Sequence, residues 1–381
     1  MKMKNIFYFI AVFSFSLVMF FYGCNKSNQN EILIGEYESL TGAEATFGIS
    51  STNGLKLAVD ETNSTGGLLG KQIKLITYDD QCKPSEAATV VQKLINKDKV
   101  VGIIGEVASS RSKAGAQICQ SSKIPMITPA STNPEVTAIG DYIYRVCFID
   151  PFQATVVSKF AINTLKVKRI AVLQDVKNAY STGLADFFIK QFKEMGGDVI
   201  EVQSYSAGDK DFKAQLTAIK AKNPEAIFIP GYYTDVGLIA IQAREIGLTC
   251  PLLGSDGWES DKLTEGKAKD ALEGCFFSTH MSTQDPSPTI QNFIKKYQEK
   301  YKIMPDAMSF LAYDAGMILF DAIKRAGSTE ADKIKTELSK TKDFNGVSGK
   351  ISINDQRNAV KPAVILEIKN GQFTYKETVS P

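Results

Sequence analysis

The stretch Ile124–Pro134, Ile-Pro-Met-Ile-Thr-Pro-Ala-Ser-Thr-Asn-Pro, joins a short apolar run to a turn rich in hydroxyls and proline. The apolar run reads as a buried strand. Pro134 then opens a short helical segment, with Asn133 in the N-cap position. In an open α/β sheet, ligands sit beyond the carboxyl ends of the strands. There such a turn offers unpaired backbone N–H groups and the positive end of a helix, which suit a carboxylate or a phosphate. Taken alone, the stretch also reads as an ordinary strand-to-helix loop.

Four more loops fall at the carboxyl ends of expected strands. They are Glu106–Ser110, Asn178–Ser181, Gly231–Tyr233 and Gly254–Trp258. Glu106–Ser110 and the Thr128–Asn133 turn offer hydroxyls and helix starts. The other three offer aromatics and one carboxylate, Asp256. An anion site facing a buried carboxylate is a receptor for a zwitterion. Each loop has a plainer reading: Ser109 and Ser110 as helix caps, Tyr232 and Tyr233 as strand-end aromatics, Asp256 as a turn residue beside Gly257. The functional reading rests on all five facing one cleft.

Other chemistries are poorly served. The only histidine is His280, with no nucleophile elbow beside it. No GxGxxG follows a strand, and no Walker A sequence occurs. Gly66–Lys71 is Gly-rich but reads as a turn into the strand at Ile73. No CxxC is present and no cysteine spacing fits zinc. No catalytic residue, cofactor or metal site is therefore expected, and catalysis by carboxylates alone is the one enzymatic route left open.

Stepping along the chain, strands are expected at Glu31–Tyr37, Ile73–Tyr78, Val100–Ile104 and Ile124–Thr128. Helices at Phe47–Asn63, Ser85–Asn96 (Ser85 as N-cap) and Ser110–Ser121 alternate with them. This is a parallel sheet with right-handed crossovers. The pattern restarts after Asp150-Pro151. Strands near 169–174, 198–205, 226–229, 252–253 and 274–278 alternate with helices and form a second lobe. Long helices near 290–301 and 308–326 follow. Strands at 349–353 and 363–375 close the chain, the latter broken by the Asn370-Gly371 hairpin signal. With no linker between the lobes, the chain is expected to cross between them more than once.

The 381 residues are 44% hydrophobic and 23% charged, a globular composition with room for two domains. Of 44 basic residues, Lys2 and Lys4 belong to a leader, so 44 − 2 = 42 basic residues face 42 acidic ones. Nothing there points to nucleic acid. Residues 1–24 read as a signal peptide: the basic start, the uncharged run Ile6–Tyr22, then Gly23-Cys24 and a polar tether. Gly23-Cys24 resembles the lipobox of bacterial lipoproteins, which implies lipidation at Cys24. Phe21 and Tyr22 depart from the usual Leu or Ala and small residue. An uncleaved anchor is the alternative, and in either case the body lies outside the cytoplasm, periplasmic or at the cell surface. The other cysteines, Cys82, Cys119, Cys147, Cys250 and Cys275, are odd in number and read mostly as small buried residues, with room for one disulfide.

Several marks match one family together: Ser39-Leu40-Thr41-Gly42, Asn63 with Gly66-Gly67-Leu68 and Gly70-Lys71, Tyr78-Asp79-Asp80, Pro129-Ala130-Ser131-Thr132, Gly231-Tyr232-Tyr233 and Tyr313-Asp314-Ala315. Over residues 31–378 the chain resembles a type I periplasmic binding protein of the leucine/isoleucine/valine-binding family. Members deliver amino acids to ABC transporters. The resemblance implies two Rossmann-like α/β lobes joined by a multi-strand hinge, lobe one being 31–150 plus 282–345 and lobe two 151–281 plus 346–378. It implies that Ser109 and Thr132, with main chain around Ala130, hold the ligand's carboxylate and ammonium. Tyr180 and Tyr232 would close over the ligand, Asp256 would pair with the α-ammonium where leucine-binding relatives carry Glu, and Phe47 would wall the side-chain pocket. Cys82 matches a half-cystine whose usual partner position is Ala108 here, so that disulfide cannot form. The expected ligand is an aliphatic amino acid and the expected partner a membrane permease. Another small solute (an amide, urea or a short carboxylate) and a sensory ligand-binding module are the alternatives.

Overall fold

The computed structural model describes residues 30–380. The leader and Cys24 lie outside the described residues. Two separate main sheets organise the chain. The first has strand order β2-β1-β3-β4-β5, from β1 (Glu31–Glu38), β2 (Gln72–Asp79), β3 (Gly102–Ile104), β4 (Met126–Thr128) and β5 (Ile143–Arg145). Its inner pairings are parallel. The three-residue strands β3 to β5 are buried throughout, as expected for a sheet covered on both faces.

The second sheet has order β15-β14-β10-β9-β8-β6-β7. Strands β6 (Arg169–Asp175), β7 (Asp198–Tyr205), β8 (Ala226–Phe228), β9 (Leu252–Gly254) and β10 (Cys275–Thr279) run parallel. Strands β14 (Ala363–Lys369) and β15 (Gln372–Val379) form an antiparallel edge. Their hairpin turns at Asn370 and Gly371, both at positive φ, as the sequence signal requires. A small sheet of β11 (Phe344–Gly346), β12 (Gly349–Ile353) and β13 (Ala359–Val360) lies between β10 and β14 in sequence.

The chain leaves the first sheet after β5, returns to it after β10 with the helix Ala307–Ala326 packed against β3 and β4, and crosses again to the second sheet before β14. The last crossing carries a buried polar chain. Lys361 Nζ donates to Ser348 Oγ at 2.7 Å, and Ser348 donates to Asp314 Oδ2 at 2.6 Å. Burial pulls the Lys361 ammonium down to about 8.

Two helices of lobe one meet unusually closely. A Cβ on Gly54, in the helix Ala45–Ser64, would lie 2.0 Å from the Ser309 carbonyl, in the helix Ala307–Ala326. Glycine there lets the start of the second helix lie against the first. The second helix is capped by Asp306, which accepts from Ser309 N at 3.1 Å, and ends at Gly327 in the left-handed region.

Some local expectations are corrected. The helix expected from Ser85 begins at Pro84, with Lys83 in the N-cap position and no side-chain cap; Pro at the first helical position fixes the start earlier. The helix after Pro134 is only Glu135–Ala138, with Pro134 itself at the N-cap. Asn133 still accepts Glu135 N at 2.9 Å, so that helix start is satisfied from within and offers less to a ligand than the sequence implied. The helices Gly266–Ala271 and Ala331–Ser339 and the strands β11 and β13 were not anticipated. All five described cysteines are free.

Candidate functional site

Each of the five expected loops contributes to one small cavity, with about 10 Å³ of free space, lined by Phe47, Val107, Ser109, Ala130, Tyr180, Tyr232, Asp256, Gly257 and Met308. Val107, Ser109 and Ala130 follow β3 and β4 of the first sheet. Tyr180, Tyr232, Asp256 and Gly257 follow β6, β8 and β9 of the second. Phe47 and Met308 come from the two helices that meet at Gly54. Parallel strand order gathers the loops of each sheet at its carboxyl edge, and contacts such as Ala179 N to Ser110 Oγ at 3.3 Å join the two sets.

On the lobe-one wall, Ser109 opens the helix Ser109–Ser121, where the first-turn N–H groups have no intrahelical acceptor. Its hydroxyl accepts Asn133 N at 3.3 Å. Ala130 supplies main chain. Thr132, the remaining expected residue, is buried but does not line the cavity, and its hydroxyl has no hydrogen-bond partner among the described residues. Burial pushes the Asp150 carboxyl up to about 8.

The other wall is aromatic around one carboxylate. Tyr180 and Tyr232 stack with centroids 5.1 Å apart and planes at 7°. Phe47 meets Tyr232 edge-on at 6.0 Å and Tyr233 at 4.9 Å. Asp256 is only 4% exposed. Its Oδ1 accepts Tyr180 OH at 2.6 Å and Gln153 Nε2 at 2.8 Å. Its Oδ2 faces His280 Nε2 at 3.2 Å. Tyr180 has one proton to give. It gives it to Asp256 and accepts from Ser255 Oγ at 2.6 Å and Gly257 N at 3.1 Å. Burial and the neighbouring carboxylate hold its phenol well above the ordinary tyrosine range. Asp256 therefore does not merely cap its own turn.

The lobes touch across the cleft at polar points. Thr46 Oγ1 donates to Tyr233 OH at 2.7 Å, which donates to the Ala43 carbonyl at 3.0 Å. Asn133 Nδ2 donates to the Ala179 carbonyl at 2.8 Å. Glu259 of lobe two accepts Ala307 N at 2.8 Å, at the start of the lobe-one helix.

Sequence reasoning found Phe47, Ser109, Ala130, Tyr180, Tyr232 and Asp256 on the cavity wall. It missed Met308, Gln153 and His280. A signal for His280 existed: β9 and β10 are adjacent and parallel, with Phe277 opposite Gly254. Residues just past both strands, Asp256 and His280, must emerge together.

Comparison with known proteins agrees with this architecture. The model of the family "Periplasmic binding protein" matches residues 31–372. A leucine-, isoleucine-, valine-, threonine-, and alanine-binding protein of Pseudomonas aeruginosa is 30% identical over 339 residues, covering 89% of this chain and 87% of its own. The crystal structure of a leucine binding protein, LivK, from Thermotoga maritima superposes with TM-score 0.88 at 42% identity, covering 92% of this chain and 99% of that one. LivJ from Streptococcus pneumoniae, a branched-chain amino acid transporter substrate binding protein solved with isoleucine, gives 0.87 at 32% identity, covering 92% and 100%.

Proposed function

The chain belongs to the periplasmic binding protein family, and on that premise we propose that it captures a free amino acid, branched-chain or otherwise aliphatic, between its lobes and presents it to an ABC transporter permease. One observation carries the choice of a zwitterion. Asp256 is buried on the cavity wall, and among the described residues its only ion-pair partner is His280. A buried carboxylate held by neutral donors is a costly arrangement until a cation arrives. The ligand's α-ammonium is that cation. Ser109 and the main chain around Ala130 hold the ligand's carboxylate and ammonium from lobe one, with Thr132 behind that wall. Tyr180 and Tyr232 cover the ligand, and Phe47 walls its side chain.

Lobe one is taken as 31–150 plus 282–345 and lobe two as 151–281 plus 346–378, closing by hinge motion on ligand contacts to both. The family places the protein outside the cytoplasm, and no catalytic residue is assigned. No described helix is long and apolar enough to cross a membrane. The membrane tether is Cys24, lipidated after removal of the signal peptide. Intact mass tests this: a lipidated Cys24 at the mature N-terminus supports it, and an unmodified, uncleaved start overturns it.

The functional test is thermal stabilisation with a panel of the amino acids, acetamide, urea and acetate. Saturable stabilisation by aliphatic amino acids, about 2.7 kcal/mol at a hundred times the dissociation constant, is expected. Stabilisation by the other solutes alone, or consumption of any panel member, overturns the reading.

A further inference from the structure

The group directly behind Asp256, outside the cavity lining, is the chain's only histidine. Its imidazole is 2% exposed and stacks on Phe148, with centroids 3.9 Å apart. The other donors on Asp256, Tyr180 and Gln153, both take Oδ1. Among the described residues His280 alone reaches Oδ2, at 3.2 Å. Its Nδ1, on the opposite side of the ring, is buried with no partner. A neutral imidazole with one nitrogen against a carboxylate oxygen and the other against nothing polar carries its proton on the carboxylate side.

We propose that His280 is a positioning residue for the ligand's ammonium: its neutral Nε2–H fixes the plane of the Asp256 carboxylate while leaving the negative charge free for the ligand. This rests on Asp256 being the ammonium partner. A lysine or arginine in the same place would hold the carboxylate equally well but cancel it. A neutral donor orients without cancelling. The same geometry makes the site sensitive to protonation of the ring. Imidazolium beside Asp256 would give the ammonium a carboxylate already paired, so ligand and proton compete. Two charged groups act on the ring. Asp256, through its hydrogen bond and its charge, favours the proton, whereas Lys361, from the last crossing, opposes it. Burial is the largest influence and lowers the ring below its ordinary value, so the neutral form prevails at neutral pH.

The test is calorimetry with L-leucine on the wild type, His280→Gln and His280→Phe. Gln carries an amide N–H to about the place of Nε2, and Phe keeps the shape and the stack on Phe148 but donates nothing. At pH 7.5, His280→Phe is expected to bind about tenfold to a hundredfold more weakly, the range for losing a hydrogen bond to a charged group. His280→Gln is expected to recover affinity to within about fivefold. Between pH 7 and 5, titrations in two buffers of different ionisation enthalpy should show wild type releasing protons on binding relative to His280→Gln. Equal affinity of His280→Phe and wild type overturns the proposal, as does identical proton release in wild type and His280→Gln. An equal loss in both variants, tracking a lower melting temperature, reduces His280 to packing and also overturns it. A wild type that binds no amino acid overturns the functional reading together with this one.

Discussion

On the lobe-one side of the cleft, Arg111 sits among carboxylates: Nη1 lies 2.6 Å from Glu44 Oε2, and Nε lies 2.9 Å from Glu106 Oε1. Ser39 Oγ lies 2.9 Å from Glu106 Oε1 and 2.6 Å from Asp80 Oδ1, with one proton for the two, and Ser51 donates to Glu38 at 2.7 Å. Burial still raises Glu106 to about 7. On the lobe-two side, Asp256 is as deeply buried, but its donors are a phenol, an amide and a neutral imidazole. One wall brings its own cation and the other does not. A cation that answers carboxylates of its own lobe holds that lobe together. A charge left unbalanced at a cavity is a charge reserved for whatever enters.

The comparison predicts opposite phenotypes. Asp256→Asn removes the ligand's counter-charge. Breaking a buried pair costs roughly 3–5 kcal/mol, on the order of two to three-and-a-half decades in dissociation constant at about 1.4 kcal/mol per decade. The fold should survive, because the amide is nearly isosteric, its oxygen still accepts from Tyr180 and Gln153, and His280 can present its other tautomer. Asp256→Glu should be milder. Calorimetry on the folded variant decides; binding within threefold of wild type would falsify the ammonium role.

Arg111→Met should do the reverse. It strands Glu106 without its cation, at a cost of about 3 kcal/mol or more in stability of the ligand-free protein. Affinity in the surviving folded protein should change by less than about fivefold, since Arg111 does not line the cavity. Denaturant unfolding and calorimetry on one preparation separate the two. An affinity loss above a hundredfold with unchanged stability would mean that lobe one's charges also hold ligand, and the contrast between the walls would fail.

How much of this was legible in the sequence follows from what each feature depends on. The strands and their loops were legible because buried parallel strands are continuous apolar runs with hydroxyl or glycine punctuation, as at Val100–Ile104 and Ile124–Thr128. The lining residues followed from topology, which needs only the alternation of elements. Gln153 and Met308 were not legible, and His280 becomes legible only once β9 and β10 are known to be neighbours. Gln153 reaches Asp256 from the first turn of the helix Asp150–Lys159, a contact set by how that helix crosses the sheet. Met308 reaches the cavity because Gly54 admits the next helix, and a lone glycine inside a helix gives no hint of its neighbour. The polar network behind Arg111 was hidden for the same reason: Ser39, Asp80 and Glu106 lie on three different loops, and sequence spacing does not predict their convergence.

The smallest expected effect concerns where the walls meet. Glu259 of lobe two accepts the Ala307 N–H of lobe one, its other oxygen bonds Thr279 within its own lobe, and Asp306 faces it. Burial, then the Asp306 charge, raises Glu259 from 4.5 to about 8 with these contacts made. Opening at the proposed hinge would return it to water and toward its ordinary value. The closed form therefore binds the extra proton between those two values. A raised pKa stabilises closure fully below the open-state value, and that contribution is lost as pH rises through the closed-state value. Amino-acid affinity should fall as pH rises from about 5 to 8, by at most about tenfold per unit, and level off above. Protonation of His280 works against this at the acid end, so wild-type affinity should pass through a maximum in the mildly acidic range. Glu259→Gln keeps an acceptor for Ala307 N–H but does not titrate. It should flatten the alkaline limb alone, while His280→Gln flattens the acid limb alone. If Glu259→Gln retains the wild-type slope between pH 6 and 8, closure is not linked to this carboxyl, and the meeting of the walls contributes shape without charge.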